Sequence, residues 1–211
     1  MEPIIKVENL SKTFKGRSGV DKEAVKDVSF EVYEGDTLGI VGESGSGKST
    51  IARLVAGLIP PTLGQITING DVQMVFQNPL ESFNPRKTIG YSVTEGLRNK
   101  GASKAEAKEI VMMLFDECGL SRELFDKYPH QLSGGQCQRA AIVRAISLEP
   151  KILICDEATS ALDVTVQKTI IELLDKLRTE KNLTILFICH NLSLVKIFCN
   201  KQIVVVDGKI E

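Results

Sequence analysis

The stretch from Gly42 to Ser49 constrains the fold of this chain more than any other segment. It reads Gly-Glu-Ser-Gly-Ser-Gly-Lys-Ser and fits the phosphate-binding pattern G-x-x-x-x-G-K-[ST]. Residues 37–41 before it form an apolar run typical of a buried strand, and a helical pattern follows from Ser49 to about Leu58, where Pro60-Pro61 is expected to stop it. Strand, glycine-rich turn and helix in this order predict a triphosphate-binding loop rather than an incidental glycine-rich turn.

The residue types in this loop suit phosphate chemistry. Glycines let backbone N–H groups converge on phosphate oxygens, and the N-terminus of the following helix adds partial positive charge. We expect Lys48 to neutralise the β- and γ-phosphates and the Ser49 hydroxyl to ligate Mg²⁺. The predicted nucleotide contacts are Gly42, Ser44, Gly45, Ser46, Gly47, Lys48, Ser49 and Thr50.

Composition places the chain among ordinary globular proteins. It has 211 residues, 43% of them hydrophobic, and 26 Lys+Arg balance 27 Asp+Glu for a net charge of −1. These values exclude disordered, collagen-like and strongly basic nucleic-acid-binding classes. The sequence contains no apolar run long enough to span a bilayer and no secretory signal at its start, and the five cysteines lack any Cys-x-x-Cys pair. We therefore expect reduced thiols and a cytosolic domain.

The remaining apolar segments predict an α/β fold. Continuous apolar runs at 151–155, 184–188 and 202–206 suit a parallel sheet that is buried on both faces. Alternating residues at 4–10 and 28–33 predict half-buried strands, with a solvated loop between them. Further short strands are expected at about 65–69 and 72–76, and the pattern is helical from about 88 to 148, with a capping box at Ser103-Lys104-Ala105-Glu106.

Asp156 and Glu157 end the apolar run that begins at Ile152. A carboxylate at the tip of a buried strand beside a phosphate loop can hold Mg²⁺, so Asp156 is the candidate ligand. Glu157 would then act as general base on the attacking water. Taken alone, the pair fits an acidic turn cap equally well, but the phosphate loop favours the catalytic interpretation.

A second candidate anion site lies at Ser133-Gly134-Gly135-Gln136. Ser133 and Gln136 fit a capping box at the start of a helix. Two consecutive glycines weaken the first turn and are not needed for capping alone. They would allow an anion to approach the backbone closely, so the segment predicts both a capped helix and a phosphate-binding element.

Together these motifs resemble the nucleotide-binding subunit of ATP-binding cassette (ABC) transporters. Leu132-Ser133-Gly134-Gly135-Gln136 lies between the phosphate loop and Asp156-Glu157, and the family order is completed by Gln77, by Ser160-Ala161-Leu162-Asp163 and by His190. The resemblance implies a P-loop NTPase of the ABC type in one domain spanning 1–211. In it a mostly parallel core sheet and a small antiparallel β subdomain (about 1–86 and 149–211) accompany a helical subdomain (about 87–148).

The resemblance also implies roles for single residues. Glu157, His190, Gln77 and Lys48 would be catalytic, with ATP as substrate and Mg²⁺ held by Ser49, Gln77 and Asp156. Adenine would stack on Phe14, which otherwise reads as an aromatic covering the sheet edge. Ser133, Gly134, Gly135 and Gln136 would contact the ATP of a second, head-to-tail subunit, and Asp163 would couple the two sites.

A finer resemblance lies in residues 76–86, Phe-Gln-Asn-Pro-Leu-Glu-Ser-Phe-Asn-Pro-Arg, with Tyr128-Pro129-His130-Gln131. This segment is similar to the corresponding region of oligopeptide, dipeptide and nickel importers. It implies an importer ATPase for peptides or chelated metal at the cytoplasmic face of a prokaryotic membrane. Its partners would be a second ATPase subunit, two permeases and an extracytoplasmic binding protein, with no nucleic acid.

The alternative is an ABC ATPase that acts in DNA repair, chromosome organisation or translation. Repair and chromosome types carry a long coiled coil between the phosphate loop and the Ser-Gly-Gly-Gln segment, and translation types usually carry two cassettes. The short segment and the single set of motifs in this chain favour the importer.

Overall fold

The computed structural model describes residues 2–16, 21–159 and 162–211. The chain begins with three strands, a helix and two further strands, followed by a helical stretch and an alternation of strands and helices. The elements up to the helical stretch are β1 (Ile5–Phe14), β2 (Lys22–Val32), β3 (Thr37–Val41), α1 (Lys48–Val55), β4 (Leu63–Ile68) and β5 (Val72–Val75). Those after β5 are α2 (Ile89–Asn99), α3 (Lys104–Glu117), α4 (Gly134–Ile146), β6 (Ile152–Asp156), α5 (Val164–Lys181), β7 (Thr184–Ile188), α6 (Leu192–Phe198), β8 (Lys201–Val206) and β9 (Lys209–Ile210).

A six-stranded sheet in the order β5-β6-β7-β3-β8-β9 forms the centre of the protein. All neighbouring strands run parallel except β8 and β9. Alternate residues of β6 enter two different cores, Ile152 and Ile154 on one face and Leu153 and Cys155 on the other. The mostly parallel sheet buried on both faces is therefore confirmed.

A second, antiparallel sheet has the order β2-β1-β4. The solvated loop expected between the first two strands is much shorter than predicted, because β1 continues to Phe14 and β2 already begins at Lys22. The prediction was wrong because an antiparallel sheet can expose one face to water, so polar residues do not end a strand there. As a result Phe14 pairs with Lys22 at the end of the ladder.

The helix after the phosphate loop is shorter than predicted. It ends at Val55 instead of about Leu58, and Gly57 follows in the left-handed region with φ 69°. A left-handed glycine just past the last turn is a common helix stop, so Pro60-Pro61 is not what ends it.

The interval predicted to be helical contains α2, α3, α4 and two short 3-10 helices, Arg122–Asp126 and Pro129–Gln131. The capping box of Ser103 and Glu106 at the start of α3 is confirmed. A division of the chain into subdomains at about 87 and 148 stays a prediction. None of the helices in the described ranges is both long and apolar enough to cross a bilayer.

Candidate nucleotide-binding site

The carboxyl ends of four parallel strands meet at one edge of the central sheet. The phosphate loop follows β3, Gln77 follows β5, Asp156 and Glu157 end β6, and His190 follows β7. This edge is where α/β proteins of this type bind ligands. A cavity of about 310 Å³ opens there, lined by Phe14, Lys22, Ala24, Ser44, Gly45, Gly47, Lys48, Ser49, Thr50, Gln77 and Glu157.

The backbone of the phosphate loop adopts conformations that require glycine. Gly47, the residue before α1, has φ 112°. A Cβ at this position would also collide with the carbonyl oxygen of Ala24 in β2. The loop is therefore packed against the antiparallel sheet, and residues of the loop and of the start of α1 line the cavity.

Lys48 is the cation of this loop. Its residue is only 3% exposed, and its Nζ donates to the carbonyl oxygens of Gly42 at 2.9 Å and Glu43 at 2.7 Å. Both acceptors are neutral carbonyls, so the ammonium keeps its full charge for an anionic ligand. Phosphate oxygens would be stronger acceptors than these carbonyls.

Ser49 and Asp156 are joined directly. The Ser49 Oγ donates to Asp156 Oδ1 at 2.8 Å. Asp156 is 4% exposed, and this burial raises the pKa of its carboxyl, although the Ser49 hydrogen bond and the charges of Arg53 and Lys48 act in the opposite direction. A hydroxyl and a carboxylate side by side are the hard oxygen donors that Mg²⁺ prefers, so the two residues fit that ion.

Gln77 and Glu157 meet across the cavity. The Gln77 Nε2 donates to Glu157 Oε2 at 2.7 Å. Glu157 has φ 48°, an uncommon conformation for a non-glycine residue, and its N–H donates to the carbonyl of Ile188 in β7. Strained backbone that the surrounding structure holds in place is often found at functional sites.

Phe14 lines the same cavity and is 43% exposed. The Lys12 Nζ lies 5.3 Å from the centre of its ring and donates to the carbonyl of Pro60. Lys22 and Ala24 also line the cavity, and sequence reasoning missed both. Their position follows from the pairing of β1 with β2, which contains register shifts that no sequence pattern reveals.

His190 lies elsewhere. It is exposed and lines a different cavity together with Gly42–Ser46 and residues of β8. Ser46 also lines that second cavity, and its buried Oγ has no hydrogen-bond partner among the described residues. The structure therefore does not bring His190 into the cavity of Gln77 and Glu157, and its catalytic role stays a prediction.

Ser133, Gly134, Gly135 and Gln136 form the start of α4. The capping box is present, with Ser133 Oγ accepting from the Gln136 N–H at 3.3 Å and Gln136 Oε1 accepting from the Ser133 N–H at 2.9 Å. Within the described residues, none of the four lines the cavity of the phosphate loop. Ser133 and Gly134 are exposed, whereas Gly135 is buried and a Cβ there would lie 2.7 Å from Val166 Cγ1 in α5.

Asp163 caps a helix as well. Its Oδ1 accepts from the Val166 N–H at 3.0 Å at the start of α5. It lies outside the described lining of the nucleotide cavity. Its predicted neighbours Ser160 and Ala161 lie outside the described residues.

The chain matches a protein-family model. The family model described as "ABC transporter" matches residues 25–160 of this chain. The matched region includes the phosphate loop, Gln77, the Ser-Gly-Gly-Gln segment and Asp156-Glu157.

Similar curated proteins include ATP-binding proteins of importers. The oligopeptide transport ATP-binding protein OppF of Haemophilus influenzae is 45% identical over 88% of this chain and 61% of its own length. OppF of Bacillus subtilis is 39% identical over 99% and 74%. The glutathione import ATP-binding protein GsiA of Salmonella choleraesuis is 40% identical over 99% and 37%. The chain thus spans 61% of the length of the relative from Haemophilus.

Solved structures share the fold. The ATP-binding cassette MJ0796, in a dimeric post-hydrolysis state bound to ADP and Pi, matches with a TM-score of 0.89 and 30% identity over 98% of this chain and 96% of that one. The cbiO1 protein of Clostridium perfringens, part of the ABC transporter complex cbiONQ, matches with a TM-score of 0.86 and 27% identity over 100% and 88%.

Proposed function

The chain belongs to the ABC transporter family, and on this premise we propose that it binds and hydrolyses ATP to drive a peptide importer. One observation carries the proposal: a single cavity contains the phosphate loop with Lys48, the Gln77–Glu157 pair and Phe14. Phosphate-binding groups and an exposed aromatic ring in one cavity suit a nucleoside triphosphate.

Each residue then has a task that its position supports. Lys48 exchanges its bonds to the carbonyls of Gly42 and Glu43 for phosphate oxygens. The N–H groups at the start of α1 bind the same phosphates. Phe14 offers its exposed ring to the adenine.

Ser49 and Asp156 would hold Mg²⁺ beside these phosphates. Gln77, which is hydrogen-bonded to Glu157, would complete the surroundings of the ion. When bound, the ion neutralises charge that develops on the phosphates during transfer. Glu157 accepts a proton from the attacking water, while Gln77 Nε2 holds its carboxylate in place.

The Ser133–Gln136 segment is exposed at its start and does not line the nucleotide cavity among the described residues. A capped helix start with an exposed glycine can bind an anion, so we assign it to the ATP of a second ATPase subunit packed head to tail. Dimerisation of the similar cassette MJ0796 supports this arrangement. Asp163 would couple the two sites, and His190 would contact the γ-phosphate in the closed dimer.

The names of these relatives support peptides as the cargo, since two are oligopeptide transport ATP-binding proteins and one is a glutathione import ATP-binding protein. The nickel or chelated-metal alternative stays a prediction. The partners would be two permeases and an extracytoplasmic binding protein, at the cytoplasmic face of the membrane. Copurification of this protein with permeases would support this assignment. Failure to copurify with any permease would favour the non-transport class.

The central test is Glu157→Gln. The amide keeps the size of the side chain and a hydrogen-bond acceptor for Gln77 but loses the base. We expect ATP to bind with unchanged affinity and its hydrolysis to fall by about 100-fold or more, in line with loss of a positioned general base. Glu180→Gln, which changes an exposed glutamate of α5, is the matched control. Near-normal turnover of Glu157→Gln in the assembled complex would remove Glu157 from this role.

A further inference from the structure

Arg144 of α4 is a half-buried arginine that forms no ion pair with any of the described residues. Its Nη1 donates to the carbonyl oxygen of Ser82 at 2.6 Å, and its Nη2 donates to Ser82 Oγ at 3.1 Å. The guanidinium carbon also lies 4.5 Å from the centre of the Phe83 ring. A charge withdrawn from water without a carboxylate partner is unfavourable, and burial accordingly lowers the pKa of Arg144. The contacts of Arg144 with Ser82 and Phe83 therefore indicate a structural role for this side chain.

Ser82 connects Arg144 to the segment that follows Gln77. Its Oγ donates to the carbonyl oxygen of Pro79 at 2.8 Å, and its N–H donates to the same oxygen at 3.2 Å. Pro79 is buried and follows Gln77 by two residues. Phe83, which is 3% exposed, fixes the other side of the turn. The segment 77–83, which we call the Gln77 loop, is thus tied to α4 through one arginine and one serine.

The same loop forms one wall of a cleft beside the candidate metal site. Gln77 and Ser82 line this cleft together with Ser49 and Asp156. A shift of the Ser82 turn would therefore displace Gln77 relative to both Asp156 and Glu157. Small displacements of a positioned group lower the rate of a reaction steeply while leaving substrate binding largely intact.

We propose that Arg144 and Ser82 are positioning residues that hold the Gln77 loop so that Gln77 reaches Glu157. This inference rests on the proposed ATPase function. It also gives the loop a mechanical link to the Ser133–Gln136 segment, because that segment and Arg144 belong to the same helix. A rise of 1.5 Å per residue places Arg144 about 15 Å along the axis from Gly134. A movement of the helix start would reach the Gln77 loop through Arg144.

Arginine is specifically suited to this contact. Its planar fork binds the carbonyl and the hydroxyl of Ser82 at once while its flat face lies on Phe83. The ammonium of lysine is a compact point charge that has neither the fork nor the flat face, so it cannot reproduce this arrangement. Arg144→Lys should therefore behave as a loss, although the charge is conserved.

Three substitutions separate positioning from folding. Ser82→Ala removes both hydrogen bonds of the Oγ, the one to Pro79 and the one from Arg144 Nη2, and keeps the backbone carbonyl that accepts from Arg144 Nη1. Ser82→Thr keeps the hydroxyl and should have kcat close to that of the wild type. We expect kcat to fall about 5- to 150-fold in Ser82→Ala, the loss of two hydrogen bonds, with KM for ATP changed less than 2-fold. Arg144→Lys should lower kcat at least as much.

The decisive measurement is a double-mutant cycle with Gln77→Ala. If Ser82 acts through Gln77, Ser82→Ala should have no further effect on kcat in the Gln77→Ala background. Ser92→Ala is the matched control, since it removes another hydroxyl–carbonyl bond, from Ser92 of α2 to Thr88, the residue before that helix. Arg98→Lys is the second control, because Arg98 also lies against an aromatic ring, that of Tyr91.

Hydrogen exchange supplies a readout that does not depend on hydrolysis. Amides of the Gln77 loop should exchange faster in Ser82→Ala and Arg144→Lys, whereas those of β6 should not change. A wild-type complex without ATPase activity would overturn the proposed function, and unchanged exchange in both variants would then separately overturn the anchorage. With an active wild type, unchanged kcat or fully additive losses with Gln77→Ala would overturn the inference.

Discussion

The hydrogen bond between Ser49 and Asp156 leads to two substitutions with opposite effects on stability. The Ser49 Oγ donates to Asp156 Oδ1 at 2.8 Å, and Asp156 is only 4% exposed. Burial of the carboxylate raises the pKa of Asp156, so the charged form is unfavourable in the folded protein. Removing the donor should worsen this condition, whereas removing the charge should relieve it.

Ser49→Ala leaves the buried carboxylate without its hydroxyl donor. A hydrogen bond to a charged group contributes about 1.5–3 kcal/mol, so the free energy of unfolding should fall by about that amount. For a chain of this size that corresponds to a decrease of about 3–12 °C in Tm. Asp156→Asn keeps an oxygen that accepts from Ser49 but carries no charge, so its free energy of unfolding should rise.

The two changes also differ in pH dependence. Because the pKa of Asp156 is raised on folding, the folded state binds this proton more tightly than the unfolded state. The favourable contribution of the wild-type residue is therefore present below the ordinary carboxyl pKa and is lost as pH rises through the raised pKa. The stability advantage of Asp156→Asn should grow over the same window and stay constant above it.

Urea denaturation with EDTA present, repeated between pH 4 and pH 8, measures both effects. Ser193→Ala, at an exposed serine of α6, is the control and should change little. Both site variants should lose Mg²⁺-dependent ATP hydrolysis despite their opposite stabilities. An Asp156→Asn protein as unstable as Ser49→Ala would refute the reasoning, because it would show that the buried charge is not the unfavourable term.

Three further results are expected. Gly47→Ala should lower the free energy of unfolding by at least about 1–3 kcal/mol, because φ is 112° and the new Cβ would also meet the carbonyl of Ala24; thermal melting measures this. Phe14→Ala should weaken ATP binding by about 5- to 150-fold in isothermal titration, the usual worth of one aromatic–base stack, whereas Phe14→Tyr should not. Burial raises the pKa of both Cys155 and Cys199 to about 12, so iodoacetamide at pH 8 should modify these thiols only after unfolding, as mass spectrometry would show.

Much of the site could be predicted because parallel strands deliver their carboxyl ends to one edge of the sheet. Gln77, Asp156 and the phosphate loop each follow a predicted strand, so their proximity follows from the sheet itself. Lys22 could not be found in this way, since its place beside Phe14 depends on the exact pairing of β1 with β2, including its register shifts. The role of Arg144 could not be predicted for a related reason: nothing in the sequence of α4 indicates a contact with Ser82.

The paired glycines show where sequence reasoning was incomplete. Capping of α4 does not need two glycines, and the structure agrees with that. Phosphate binding, however, is not the only other reason for a glycine here. Gly135 is buried against Val166 of α5, where a Cβ would lie 2.7 Å from Cγ1, so close helix packing already requires a small residue. Gly134 is exposed and a Cβ there would lie 3.5 Å from Leu162, an ordinary contact distance. The functional interpretation therefore rests chiefly on Gly134.

The site collects features that each oppose folding. The ammonium of Lys48 is buried and donates only to uncharged carbonyl oxygens in the described contacts, and the carboxylate of Asp156 is buried. Glu157 adopts an uncommon backbone conformation with φ 48°. They follow or end β3 and β6, in which every residue is buried. Strands packed on both faces can hold such groups in place because local relaxation would disturb two cores at once. The same rigidity holds Asp156 beside Ser49 and Glu157 at the cavity, so substitutions that relieve these costs should stabilise the protein and disable the site together.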